Sequence, residues 1–162
     1  MANKAYLLLG TNLGDRAKHL EAARTGLSRT AGTVTELSSV YETAAWGITE
    51  QPVFWNQVVV LDTELPPEVL LAAILAIEQS LGRERDQRWG ARTLDVDILY
   101  YNDQVIQSPS LSVPHPEIAN RRFTLAPLAE IAPDFLHPVR RLTQRQLLDA
   151  CPDPLPVRRI EA

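Results

Sequence analysis

Cysteine is almost missing from this chain. Cys151 is the single one in 162 residues, which excludes an internal disulfide framework and a zinc site built on thiolates. Lysine is almost missing too: Lys4 and Lys18 are the two present, so the remaining fourteen basic residues are arginines. No long apolar run occurs. The longest, Val69–Ile77, is under half of the roughly 20 residues a bilayer span requires. The short apolar run after Met1-Ala2-Asn3-Lys4 is closed by Gly10, too early for a secretory h-region, so a cytoplasmic protein is expected. A surplus of positive charge is also lacking. The net charge is −4 and the pI about 5.4, which argues against nucleic-acid binding through a broad basic face. There is no G-x-x-x-x-G-K-[ST] loop, and Gly10-Thr11-Asn12-Leu13-Gly14 is wrongly spaced for a dinucleotide fingerprint.

What is present is ordinary globular composition, 45% hydrophobic and 22% charged, over a length suited to one domain, residues 1–162, with a real core. Ala5–Leu9 reads as a buried strand ended by Gly10. Leu13, Ala17, Leu20, Ala23 and Leu27 recur at helical spacing up to Gly32. Thr33–Tyr41 reads as a second strand, Glu42–Pro52 as a long loop and Phe54–Leu61 as a third strand. Pro66-Pro67 open a helix with Leu70, Ile74, Ile77 and Leu81 as its seam and Gly82 as its stop. Thr93–Tyr101 is a fourth strand, with a hairpin return expected at Val105-Ile106. Short helical pieces follow near Glu117–Asn120, Phe123–Ile131 and Thr143–Ala150, then an irregular tail marked by Pro152, Pro154 and Pro156. The order β-α-β-β-α-β with a C-terminal extension predicts an α+β, ferredoxin-like fold, a mostly antiparallel sheet with both helices on one face.

Chemistry concentrates in four places. In Leu94-Asp95-Val96-Asp97-Ile98, strand alternation turns Asp95 and Asp97 to one side and the apolar residues to the other, with Cα atoms about 7 Å apart. Two carboxylates so placed suit a pair of Mg²⁺ ions that leave coordination positions for water and phosphates. The preceding segment, Gly82 to Arg92, carries Arg83, Arg85, Arg88, Arg92 and Trp89. It reads either as a solvated charged loop or as a lid that brings guanidinium groups onto a polyphosphate. His115 sits between two prolines and is followed by Arg121, Arg122 and Phe123. Phe54 and Asn56 share one side of a strand, opposite Trp55, offering a stacking surface and an amide to a flat heterocycle. His19, His137 and Cys151 have no arrangement around them that suggests chemistry.

Together, Gly10-Thr11-Asn12-Leu13-Gly14, Gln51-Pro52…Asn56, Arg88-Trp89-Gly90-Ala91-Arg92-Thr93-Leu94-Asp95-Val96-Asp97-Ile98 and Val113-Pro114-His115…Asn120-Arg121…Phe123 resemble the 6-hydroxymethyl-7,8-dihydropterin pyrophosphokinases of folate biosynthesis. The resemblance runs in order from Ala5 to Pro138. It implies pyrophosphate transfer from ATP to the pterin's hydroxymethyl group, with AMP released. It implies Asp95 and Asp97 as ligands of two Mg²⁺ ions, and Arg83, Arg92 and Asp97 as catalytic residues. Glu78, Arg85, Arg88, Trp89, Ile98, Leu111, Ser112, His115 and Arg121 would meet ATP. Thr43, Trp46, Phe54, Asn56 and Phe123 would hold the pterin, the two phenylalanines sandwiching its ring. Arg83 to Arg92 would be the family's mobile catalytic loop. The chain departs from the family's usual residues at Phe54, Leu75, Ala91 and Pro116.

ATP and the pterin are the partners implied, with no nucleic acid and no membrane, and a monomer is expected. Two other readings of the residues stand beside this one: a two-metal phosphodiesterase using the same Asp pair, and a non-catalytic module whose charges are surface.

Overall fold

The computed structural model describes residues 2–12, 14–43, 53–81 and 94–160. Its main sheet begins with β1 (Asn3–Thr11), whose residues are buried from Ala5 onward. An amphipathic helix α1 (Arg16–Thr30) follows, its N-terminus capped by Asp15, which accepts from Lys18 N. The helix starts later than the apolar spacing suggests: Leu20, Ala23 and Leu27 are buried, but Ala17 is exposed. Leu13 lies outside the described residues.

The predicted second strand is two, β2 (Thr33–Leu37) and β3 (Val40–Thr43). The break falls at Ser38-Ser39. There the Ser38 hydroxyl accepts from Val58 N at 2.9 Å, and Ser38 O accepts from Gln57 Nε2 at 2.8 Å. Polar side chains thus take over part of the backbone ladder and let the strand change course.

The long central strand β4 (Phe54–Thr63) pairs with β1 on one side and with β2 and β3 on the other. Helix α2 (Pro67–Ser80) has Pro at its first position, where the missing N–H has no intrahelical partner to lose, and buries Leu70, Ile74 and Ile77. Strand β5 (Asp95–Tyr101) then returns to the free side of β1.

In chain order the four principal strands lie fourth-first-third-second, every neighbouring pair antiparallel. This is the ferredoxin-like arrangement. Two features differ from the sequence expectation. Val157–Ile160, in the tail expected to be irregular, forms β8 and extends the sheet beyond β3. Val105-Ile106 does not return onto β5. Instead β6 (Ile106–Gln107) pairs with β7 (Ser112–Val113) as a separate ribbon.

The helix expectation covered only one face. There α1 and α2 enclose Leu7, Leu9, Val59, Leu61, Val96 and Ile98. The opposite face is also covered, by α3 (Arg122–Ile131) and α4 (Gln144–Asp149), around Tyr6, Leu8, Val58, Val60, Leu99 and Tyr100. Arg122, which the sequence places beside Arg121 after His115, is used here: its guanidinium donates to the carbonyls of Cys151 and Asp153 and ties α3 to the C-terminal segment.

Beside this second core, His137 is buried, and its Nδ1 accepts from Val139 N and Arg140 N at 3.2 and 3.1 Å. Burial, and secondarily Arg140, lowers its pKa below the ordinary value. Below about pH 6.5 the unfolded chain therefore takes up a proton that the folded chain resists, so this part of the stability is complete above that pH and is lost as pH falls. His137→Ala is expected to lower stability by about 1–3 kcal/mol near pH 7.5, because two donors lose their acceptor. It should also make the decline below pH 6.5 shallower. Urea unfolding at a series of pH values measures both; an unchanged slope would remove His137 as a cause.

Candidate active site

Register decides what meets what on the α3 side of the sheet. Gly10 of β1 is paired with Asn56 of β4 and with Asp95 of β5. Two pairs further along, on the same face, Leu8 is flanked by Val58 and Asp97. Asn56, Gly10 and Asp95 thus form a row across three strands, about 10 Å from end to end at the usual strand spacing. Asp95 and Asp97 are half-buried, whereas Val96 and Ile98 between and beyond them are buried, as alternation requires.

Gly10 has a specific reason to be glycine. A Cβ there would lie 2.7 Å from Asn56 Nδ2. The bare backbone lets the Asn56 amide lie over β1, where Nδ2 donates to Leu9 O at 3.4 Å. The sequence showed Gly10 as the end of an apolar run, not as the space that Asn56 occupies.

Two further residues of the row's β4 end share its face. Phe54 is half-buried and paired with Thr43 of β3. Thr43 is 3% exposed, and its hydroxyl has no hydrogen-bond partner among the described residues. Such a buried, unpaired hydroxyl is uncommon in a folded protein and marks a place where a ligand atom would be accommodated. Trp55 faces the other way, stacked under Arg16 with 5.1 Å from guanidinium carbon to ring centre.

At the β5 end, a register shift between Tyr6 and Leu7 leaves Leu99 as an extra residue opposite β1. The carbonyl of Leu99 accepts from His115 N at 3.0 Å, so the bulge anchors the histidine. His115 Nδ1 accepts from Glu117 N at 3.1 Å, which leaves Nε2 to carry the proton of the neutral ring. Burial lowers the His115 pKa. Asp97 opposes that shift, Arg121 reinforces it and Glu117 opposes it. His115, Asp97 and Arg121 therefore act on one another electrostatically. Arg121 lies over Phe123, 5.7 Å from guanidinium carbon to ring centre, and Phe123 packs against the second core at the start of α3.

Ile98 and Leu111 belong to the opposite core, and Ser112 lies in β7, which packs against β5. Glu78, at the end of α2, is buried, and its Oε2 accepts from Val96 N at 2.7 Å. Trp46, Arg83, Arg85, Arg88, Trp89 and Arg92 lie outside the described residues. The fold thus brings Thr43, Phe54, Asn56, Asp95, Asp97, His115, Arg121 and Phe123 to one face. It puts Glu78, Ile98 and Leu111 on the other side of the same edge strand.

The sequence profile of the 7,8-dihydro-6-hydroxymethylpterin-pyrophosphokinase family matches residues 6–133. The chain belongs to this family. A 2-amino-4-hydroxy-6-hydroxymethyldihydropteridine pyrophosphokinase of Methylorubrum extorquens is 43% identical over 159 residues, covering 98% of this chain and 99% of that one. One from Bacillus subtilis is 48% identical over 132 residues, covering 81% and 79%. Among solved structures, a Plasmodium falciparum HPPK-DHPS chain superposes with a TM-score of 0.78 at 20% identity, over 93% of this chain. This chain spans 45% of the plasmodial one, and the likeness concerns the fold. The family is one of enzymes that transfer pyrophosphate from ATP to 6-hydroxymethyl-7,8-dihydropterin, a step of folate biosynthesis. Membership removes both alternative readings, the phosphodiesterase and the non-catalytic module.

The close approach of Gly10 and Asn56 can be tested without any ligand. Gly10→Ala should displace the Asn56 amide and destabilise the fold, and Asn56→Ala should relieve much of that effect in the double variant. A double-mutant cycle by denaturant unfolding is expected to give a coupling of about 0.5–3 kcal/mol. Additive effects would show that the two residues do not compete for the space.

Proposed function

We propose that this chain carries out its family's reaction, as one catalytic domain spanning residues 1–162, on the α3 face of the sheet. The pterin would lie at the β4 end of the row and the triphosphate at the β5 end. The observation that carries this reading is the row itself: Asn56 and Asp95 share a face, separated by one glycine. Phe54, Asn56, Thr43 and Phe123 offer two aromatic faces, an amide and an unpaired hydroxyl, which is what a flat, polar-edged ring needs.

The donor set at the other end fits magnesium. Asp95 and Asp97 supply hard oxygens from one face of a strand. No cluster of three or more His, Cys, Asp or Glu suited to a metal occurs among the described residues. Two carboxylates with open positions for water and phosphate oxygens are the usual Mg²⁺ arrangement, and we assign two ions to the pair. When bound, Mg²⁺ supplies neutralisation of phosphate charge and a lowered pKa for the pterin hydroxyl.

The chain's own residues do the rest. Stacking between Phe54 and Phe123 and pairing with Asn56 fix the ring, so that the hydroxymethyl oxygen faces the β-phosphorus. That oxygen forms the new P–O bond as the bond from β-phosphorus to the α,β-bridging oxygen breaks, and AMP departs with that oxygen. Asp95 or Asp97 takes the hydroxyl proton. Neutral His115 donates from Nε2, and Arg121 adds positive charge beside the phosphates. Arg83, Arg85, Arg88, Arg92 and Trp89 are assigned to the same polyphosphate by resemblance. The nucleotide's remaining contacts, with Glu78, Ile98, Leu111 and Ser112, would follow the edge of β5. No helix among the described residues is long and apolar enough to cross a membrane, and we read the protein as a cytoplasmic monomer.

Incubation with ATP, Mg²⁺ and 6-hydroxymethyl-7,8-dihydropterin tests the reading. AMP should appear only when the pterin is present. Asp95→Asn and Asp97→Asn are each expected to abolish that AMP while leaving the circular dichroism spectrum intact, because both side chains face the site. Near-normal turnover in either variant would overturn the metal assignment.

The pterin pocket is tested separately by calorimetric titration of Phe123→Ala with each ligand. Pterin affinity should fall by more than ATP affinity, with about 0.5–1.5 kcal/mol attributable to stacking beyond burial. Equal losses for both ligands would mean that the pocket is misplaced.

A further inference from the structure

Strand β5 lies at the end of the main sheet, with β1 as its only strand neighbour there among the described residues. In an antiparallel pair, backbone amides point alternately toward the partner strand and away from it. An amide pointing away from β1 meets no strand among the described residues. At Val96 that outward position is buried, since the residue is 6% exposed, and a buried N–H without an acceptor is costly. The acceptor present is a carboxylate: Glu78 Oε2, on the last turn of α2, takes Val96 N–H at 2.7 Å. Glu78 is itself 3% exposed, and a buried carboxylate accepting from an amide forms a strong, charge-assisted bond.

Val96 is the residue between Asp95 and Asp97. Its φ and ψ set the angle between the two flanking side chains, so whatever holds the Val96 peptide holds the carboxylates relative to one another. Magnesium demands near-ideal octahedral geometry, and a site of that kind tolerates displacements of only about 0.5 Å. On β1's side the strand is held by its ladder; on the open side it is held here by Glu78. We propose that Glu78 is a positioning residue for the Asp95/Asp97 pair, acting through the Val96 amide from behind the edge strand. This rests on the reading of Asp95 and Asp97 as the metal-facing pair. It differs from the nucleotide contact that resemblance assigns to Glu78, because the carboxylate oxygen is engaged with the strand.

Two conservative variants separate acceptor from charge. Glu78→Gln keeps the side-chain length and an acceptor oxygen but loses the charge. Glu78→Asp keeps the charge but is one methylene too short. In Glu78→Asp, hydrogen exchange at the Val96 amide is expected to rise at least about tenfold, while amides in the β1–β4 ladder stay protected. Mn²⁺ affinity, measured by electron paramagnetic resonance with an α,β-methylene ATP analogue bound, should fall about tenfold, the usual loss when a group supporting a metal ligand is removed. Turnover should fall with it, and the pterin KM should stay within about twofold. Glu78→Gln is expected to recover Val96 protection and most of the Mn²⁺ affinity.

Wild-type exchange and Mn²⁺ affinity in Glu78→Asp would overturn the proposal. So would a Glu78→Gln protein as impaired as Glu78→Asp, since an acceptor of the right length would then not restore the site. A change confined to metal-free nucleotide affinity would return Glu78 to a direct contact. If wild-type protein bound no Mn²⁺ with the analogue, the metal assignment of Asp95 and Asp97 would fail instead, which keeps the two failures apart.

Discussion

Everything at the site depends on the register of β1 between β4 and β5. A shift of one residue in either pairing would turn that strand's side chains to the opposite face. Asp95 and Asp97 would then enter the α2 core, or Asn56 would face α1. What locks the register is burial on both faces at once. Leu7 and Leu9 belong to one core and Tyr6 and Leu8 to the other, so a slipped strand would still be apolar but would mismatch every partner across the ladder. Gly10 adds a local preference, because a Cβ there would have to displace the Asn56 amide.

The same three strands carry core and site in succession. Along the α3 face, Tyr100, Tyr6 and Val60 form one row; Asp97, Leu8 and Val58 the next; Asp95, Gly10 and Asn56 the third. The passage from apolar to polar occurs over two rows, and Asp97 stands beside Leu8. The carboxylates thus stand on a rigid support without being enclosed by it. The bulge at Leu99 serves the same end. It re-aims the strand between the aromatic row and the acidic rows, and its carbonyl fixes His115 near Asp97. Bulges beside active sites commonly have this effect.

Much of this was legible in the sequence, for reasons that differ by element. The Asp-x-Asp alternation follows from strand geometry alone, and Phe54-x-Asn56 from the same rule on a neighbouring strand. The helix seams of α2 were plain because Leu70, Ile74 and Ile77 repeat at helical spacing with prolines before them. Other features depend on partners far along the chain. Val157–Ile160 becomes a strand because β3 offers it an edge, which four residues among prolines cannot announce. The helical pieces that become α3 and α4 were legible, but not their packing as a second layer, because that depends on Tyr6, Leu8 and Val58 offering them the opposite face of the sheet. The engagement of Arg122 with the Cys151 and Asp153 carbonyls was equally invisible: an arginine beside Arg121 looks like a phosphate contact until the C-terminal segment is seen to need a donor.

His115 and Glu78 show how the fold assigns work to groups whose type alone is ambiguous. A histidine between prolines could be a base, a ligand or filler. Here its Nδ1 is occupied by Glu117 N, burial disfavours its cation, and Asp97 pulls in the other direction. The result is a neutral ring with one proton left to donate, next to the acidic pair. A glutamate at a helix end could equally be surface or ligand. Here the Val96 amide, at the end of the sheet, has no strand partner among the described residues, and Glu78 accepts from it. In both cases a backbone group fixes the side chain: a bulged carbonyl and a following amide hold His115, and an edge amide holds Glu78. Both fixed side chains then bear on Asp95 and Asp97, one electrostatically and one through the peptide between them. The acidic pair is therefore supported from the face it presents and from the edge behind it, which an Asp-x-Asp on an isolated strand would lack.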